Sequence, residues 1–158
     1  MSGPKSILVG LGNPILSDDA VGIVAARHVW EALGNRPCVN FVEAAVGGFE
    51  LVEMLAGYDK AVIVDAIQTE GRSPGEFSCM DFSAVSVSEI PGMTHQVGLA
   101  EGIELARRLK MKVPRTIHVY AIEAADVTTF GTAMTDSVAA AVPIVAEHIL
   151  SAEFGDGG

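Results

Sequence analysis

Three aspartates and a histidine stand where side chains meet ligands more readily than they fill a core. Asp18 and Asp19 are adjacent in GLGNPILSDDAVG, Gly10 to Gly22, directly after a first apolar strand. Asp65, in VIVDAI, is read as ending the third strand, and His95 lies in THQVGL, expected as a loop before a helix. A glycine turn after a first strand commonly cradles phosphate at the next helix N-terminus, but two carboxylates at that helix start oppose an anion. They suit a cation instead. Asp19, Asp65 and His95 together supply two oxygens and one nitrogen, leave coordination positions open, and suit a divalent transition metal such as nickel or zinc. Such an ion polarises a carbonyl or lowers the pKa of bound water, while an unligated acid nearby moves protons. Asp18 and Glu123, the latter near the end of TIHVYAIEA, are the candidates for that supporting role. Plainer roles also fit these residues: Ser17 or Asp18 can cap a helix, Glu123 can be solvated, and the His95 segment can organise a helix start. Asp65, at the end of an apolar strand, needs a hydrogen-bond network, a helix N-terminus or a cation.

The elements that must hold these residues read as an alternation. SILVGLG is a short strand, and DAVGIVAARHVWEAL carries apolar residues at helical spacing. VNFVEA is a second strand, FELVEMLAGY a short helix, and KAVIVDAI a third strand that is apolar nearly throughout, as a strand buried on both faces must be. The turn-rich QTEGRSPGE leads to EFSCMDF, whose mixed polarity suits a sheet edge. A long segment ending in SVSEIPGMTHQ then reaches the helix GLAEGIELARRLK, the strand TIHVYAIEA and a last helix DSVAAAVPIVAEHILSAEF, with Pro143 expected to kink it. The tail, from about residue 152 to 158, is expected to be flexible. No repeat or linker divides residues 1–158, so the expectation is one three-layer α/β/α domain with a mostly parallel sheet. Such sheets bind ligands beyond the carboxyl ends of their strands, which is where Asp19, Asp65 and His95 would meet.

Composition narrows the function. The chain of 158 residues is 49% apolar, yet no uninterrupted apolar run approaches the roughly 20 residues that span a bilayer. No membrane partner is expected. Ten basic residues against 20 acidic ones give a net charge of −10, whose field repels polyanions and argues against nucleic acid. MSGPKS lacks the features of a secretory signal, so a cytoplasmic location is expected. Cys38 and Cys79 are far apart, form no CxxC pair, and read as small apolar fillers.

Two partial likenesses fail on detail. A dinucleotide site would use GLGN and Glu43 at the end of the second strand, but the third glycine of GxGxxG falls at Ile15 and the aspartates oppose pyrophosphate. The opening strand and GLGNP also look like peptidyl-tRNA hydrolase, whose catalytic histidine segment is replaced here by ILSDDAVG. A longer likeness covers nearly the whole chain: GLGNPILSDDAVG, VIVDAI, THQVGL and YAIEA, in that order, resemble the hydrogenase maturation proteases. By position, the family's metal-binding acid after the first strand falls on Asp19, its second acid on Asp65 and its histidine on His95. Asp18 matches the acidic position before the first ligand, and Glu123 an acid near the end of the last strand. The chain departs from many members in having Ala44, Ala45 and Val46 in place of a glycine-glycine-threonine stretch, and Ala20 in place of glycine, while Gly48, Glu50 and Leu51 keep the pattern.

The resemblance implies a five-stranded sheet of order 2-1-3-5-4 with one antiparallel strand, which would be EFSCMDF. It implies an endopeptidase that removes the C-terminal extension of a nickel-iron hydrogenase large-subunit precursor, with the nickel brought by that precursor. A different reading of the same three ligands is a module that binds or senses nickel and hydrolyses nothing.

Overall fold

The computed structural model describes residues 4–34, 36–83, 94–131 and 133–155, with the backbone alone described for 94–97. Five strands, β1 (Ser6–Leu11), β2 (Val39–Ala44), β3 (Lys60–Ile67), β4 (Phe77–Asp81) and β5 (Thr116–Glu123), form one sheet of order β2-β1-β3-β5-β4. The four pairs are parallel except β4 with β5. Both the order and the antiparallel edge strand match the expectation. Four helices, α1 (Val21–Leu33), α2 (Gly48–Leu55), α3 (Thr94–Arg108) and α4 (Asp136–Phe154), cover the two faces.

Side-chain alternation explains the layers. Leu8, Val62, Val64, Tyr120 and Ile122 point to the face covered by α1 and α4, and Ile7, Val9, Ile63, Ile117 and Val119 to the face covered by α2 and α3. β3 lies between β1 and β5 and is buried from Ala61 to Ile67, as its apolar run requires. α4 is long and apolar enough to cross a membrane by length and composition alone. Here Val138, Val142, Val145 and Ile149 pack one of its faces into the core with α1. It runs unbroken through Pro143, and the Ala139 carbonyl that Pro143 deprives of a donor belongs to an exposed residue, where water can serve it. It also continues to Phe154, so residues 152–154 of the expected flexible tail are helical; residues 156–158 lie outside the described residues.

α1 lies unusually close to the sheet because glycines face it. A Cβ on Gly10 would come within 2.9 Å of the Ile23 Cα, and one on Gly22 within 2.4 Å of the Val64 carbonyl oxygen and 2.6 Å of that of Leu11. The helix is preceded by a 3-10 turn, Ser17–Ala20, and neither that turn nor α1 has a side-chain cap, contrary to the capping reading of Ser17 and Asp18. Asp18 is instead fully buried and faces the segment between β5 and α4. Its carboxylate accepts hydrogen bonds from the amides of Ala125 and Asp126, both at 2.9 Å, and from the Thr135 amide at 2.7 Å and hydroxyl at 2.8 Å. Burial pushes the carboxyl pKa up, but these donors together outweigh it and hold it below the usual value.

Two outcomes follow for stability. Gly22→Ala gains about 1 kcal/mol in helix propensity, but backbone atoms of β1 and β3 occupy the space, and overpacking of this kind costs about 1–3 kcal/mol or more. A lower urea midpoint at unchanged slope is expected, and an unchanged midpoint would contradict the close approach. Because the folded-state pKa of Asp18 is depressed, its contribution is present above its unfolded value near 3.8 and is lost as pH falls through the folded value. Asp18→Asn should therefore cost about 1–3 kcal/mol at pH 7 by turning an amide donor or a weaker acceptor toward four donors. The gap from wild type, measured by urea unfolding across pH 2–7, should narrow below about pH 4.

Candidate active site

The parallel strands all present their carboxyl ends at one rim. β1 leads through α1 on one face, and β2 through α2 on the other, so the chain changes sides between β1 and β3. Such a switch opens a crevice at the rim. Asp19 lines it, and Asp65 is buried on the adjacent β3. Asp19 lies in the 3-10 turn that follows β1, and its carbonyl oxygen would be 2.0 Å from a Cβ on Gly12, whose φ is +144°. Only glycine allows the strand to leave the sheet so tightly under that turn. The Asp19 Oδ2 accepts the Asn13 amide at 2.9 Å, and Asn13 Oδ1 accepts the Ile15 amide at 3.1 Å, which closes the loop on itself.

A second loop braces the first. Ser17 has φ +33°, a strained value for a residue with a side chain. Its amide donates to the Gly131 carbonyl at 3.1 Å and its hydroxyl to the Ala133 carbonyl at 3.1 Å, while the Gly131 amide donates to the Ile15 carbonyl at 2.8 Å. With the Asp18 contacts, these bonds fix Asp19 on a framework drawn from residues more than 100 positions away.

Asp65 does not end its strand as expected: β3 runs on to Ile67, and Asp65 pairs with Ala121 of β5 and is 1% exposed. Its Oδ1 accepts the amide of Ala66 at 2.8 Å. The start of α1 sits directly over it, a Cβ on Gly22 falling 2.9 Å from the Asp65 Cα. Glu123, at the end of β5, is also buried, and it accepts the Thr69 amide at 2.6 Å and the Thr69 hydroxyl at 2.5 Å. The two acids expected in a supporting role, Asp18 and Glu123, thus each hold a rim loop.

The loop after β2 completes one wall. Gly12, Asn13 and Asp19 face Ala45, Val46 and Gly47 across a cavity of about 220 Å³. The segment in which this chain departs from the family pattern therefore lines the same cavity as Asp19. α3 begins at Thr94, which puts His95 in the first helical turn and not in the loop where it was expected. Its side chain lies outside the described residues. Further along α3, Cβ atoms on Gly98 and Gly102 would come within 3.6 and 3.0 Å of the Gly48 backbone. The first turns of α3 are thereby held beside the start of α2, next to the 45–47 loop.

Two other expectations change. Glu43, the acid a dinucleotide site would use, is paired with Arg27 of α1, which lowers the glutamate pKa chiefly through that hydrogen bond. Neither cysteine is a buried filler: Cys38 is half-buried and Cys79 is exposed on β4. Among the described residues, the group whose ligand atoms lie close enough to share one ion is Cys79, His118 and Glu153. Composition and spacing gave no sign of it. The β4–β5 alternation was the available signal, and it needs the antiparallel register to be read.

A model of the hydrogenase maturation proteases matches residues 23–152, a stretch that holds Asp65, His95 and Glu123 and begins just after Asp19. The hydrogenase 2 maturation protease of Escherichia coli is 28% identical over 110 residues, covering 65% of this chain and 63% of that relative, just under two thirds of its length. The hydrogenase expression/formation protein HupD of Rhizobium leguminosarum is 23% identical over 151 residues, covering 91% of this chain and 71% of that relative. Among solved structures, the hydrogenase maturating endopeptidase HybD from Escherichia coli superposes with a TM-score of 0.74 at 24% identity, over 97% of this chain and 94% of that chain. The nickel-iron hydrogenase maturation protease HybD from Thermococcus kodakarensis does so at 0.68 and 26% identity, over 91% of this chain and 95% of that one. With a family match over most of its length and the shared sheet, this chain belongs to the hydrogenase maturation protease family.

Proposed function

We propose that this protein is a cytoplasmic endopeptidase that removes the C-terminal extension of a nickel-iron hydrogenase large-subunit precursor already loaded with nickel. The observation that supports this most is the position of Asp19 at the cavity beyond β1, with Asp65 of the neighbouring β3 beneath the start of α1. His95, at the start of α3, is the third ligand in this reading. Two carboxylate oxygens and one imidazole nitrogen suit divalent nickel and leave positions for groups of the precursor. The metal is cargo of the substrate; zinc would fit the same donors.

In this reading the chain binds and orients. Asp19 is held by the braced 13–19 loop and Asp65 by β3, so both carboxylates are positioned before the precursor arrives and little ordering is required at binding. A bound divalent ion supplies Lewis acidity to a nearby carbonyl. Attack would then come from water, whose proton would pass to a rim carboxylate acting as general base or to solvent once the carbonyl is polarised. Asp18 and Glu123, tied to loop donors, contribute by holding the rim in shape. Ile15 and Phe130 flank the Asp19 turn with exposed apolar side chains, a surface that suits a protein substrate. The 45–47 loop shares the Asp19 cavity and is the natural place for discrimination among precursors.

The decisive experiment incubates the purified protein with nickel-loaded and nickel-free precursor and weighs the products. Shortening of the loaded form alone supports the peptidase; binding without shortening supports a nickel carrier. Asp19→Asn keeps an oxygen for the Asn13 amide while removing the charge. It should leave the unfolding midpoint near wild type and slow nickel-dependent processing by at least about tenfold, ~1.4 kcal/mol of lost stabilisation. Processing at the wild-type rate would refute the assignment of Asp19.

A further inference from the structure

A second group of ligand-type side chains gathers at the free edge of the sheet, toward the amino half of β5. In the antiparallel pairing, Cys79 stands opposite Tyr120 and Asp81 opposite His118. Directly opposed residues share a face, so all four lie on the side that α4 covers. Glu153, in the last turn of α4, reaches onto them. Its Oε2 accepts the Tyr120 hydroxyl at 2.5 Å and lies 2.7 Å from His118 Nδ1, and its Oε1 lies 2.9 Å from Lys60 Nζ. One ligand atom from each of Cys79, His118 and Glu153 falls within 4.8 Å of the other two.

We propose that Cys79, His118 and Glu153 bind a divalent cation of the zinc class at a site separate from Asp19 and Asp65. Sulfur, imidazole nitrogen and carboxylate oxygen are zinc's usual donors, with bonds of about 2.0–2.3 Å that set tetrahedral ligands roughly 3.2–3.7 Å apart. Small side-chain rotations bring the three atoms to those separations, the His118–Glu153 contact opening and the sulfur closing in. Lys60 meets one oxygen of Glu153, while Tyr120 and His118 meet the other, and the Tyr120 hydroxyl also bonds the Cys79 thiol; a cation bound among the three donors would take the place of that hydroxyl.

Charge and protonation are compatible with it. Burial pushes the Glu153 pKa up, but hydrogen bonds from Tyr120, Lys60 and His118 and the Lys60 charge more than offset this, so the carboxylate is ionised. Burial raises the Cys79 pKa, so the sulfur enters as a thiol and gives its proton to solvent as the metal–sulfur bond forms. Carboxylate and thiolate then neutralise the dication. Lys60 and Asp81, the latter 3.8 Å from His118 Nε2, offset each other. Water completes the shell on the exposed side of Cys79. The bound ion would fasten the end of α4 to the edge strand.

The full chain, stripped of metal by a chelator and dialysed, is titrated with zinc against a chromophoric chelator, and with cobalt to follow the near-ultraviolet thiolate band. Wild type should bind with a thiolate band and show a higher thermal midpoint in zinc, since a ligand that binds only the folded state stabilises it. In the Asp19→Asn background, which weakens the zinc-compatible rim, Cys79→Ser, at an exposed side chain, should lose the band, lose about tenfold or more in affinity and lose the thermal shift. His118→Gln should weaken zinc similarly, whereas Cys38→Ser and Asp19→Asn should keep the band. Zinc affinity and thermal shift unchanged in both Cys79→Ser and His118→Gln, or a band that vanishes in Cys38→Ser, would overturn the proposal. Precursor cleavage reads the rim alone, so failure here leaves that reading untouched.

Discussion

The rim depends on one backbone contact, the seating of α1 against the ends of β1 and β3. Gly10 on the strand and Gly22 on the helix both lack the Cβ that would hold the helix off. The helix start therefore rests over the Asp65 Cα, while the turn before it folds back over Gly12 and carries Asp19. Separate the two layers by the width of a methyl group and the acids move apart along with them. Placement of this kind is rigid because it is made of backbone, which cannot choose another rotamer.

The acids of the rim divide by what they touch. Asp18 accepts four hydrogen bonds from residues 125–135, and Glu123 accepts two from Thr69. Each carboxylate satisfies loop donors that would otherwise be unpaired, and in doing so draws distant segments to the carboxyl end of the sheet. Asp19 borders the cavity beside the 45–47 loop, and Asp65 lies beneath the helix start. Adjacent residues in sequence thus serve different ends: in the 3-10 turn the side chains of Asp18 and Asp19 diverge, one into the protein and one to the cavity.

Much of this was legible in the chain because it is local. The apolar run of β3, the alternation in EFSCMDF and the helical period after Asp19 each report burial within a few residues, and the sheet order followed from the family likeness. What was not legible depended on partners far along the chain. Asp18 looked like a cap because its true donors lie more than 100 residues away. Gly98 looked like a helix start, whereas α3 begins four residues earlier and uses Gly98 and Gly102 to approach Gly48. A glycine that breaks a helix and one that lets two helices touch read alike until the neighbour is known. His95 was placed in a loop for that reason.

The same sheet order also explains why a second cluster arises where it does. The parallel strands send their carboxyl ends to one rim, but β4 returns antiparallel, so Cys79 and Asp81 are carried toward the amino half of β5. His118 lies five residues before Glu123, about 17 Å along a strand, so a cation held there is remote from the rim. An edge strand has one row of backbone groups without a partner strand, and proteins commonly protect such edges with charge or a covering helix. Here α4 covers one face of that edge and ends in Glu153, the residue on which Lys60, Tyr120 and His118 converge. The same carboxylate that closes the helix against the sheet is therefore the one around which the thiol and imidazole assemble.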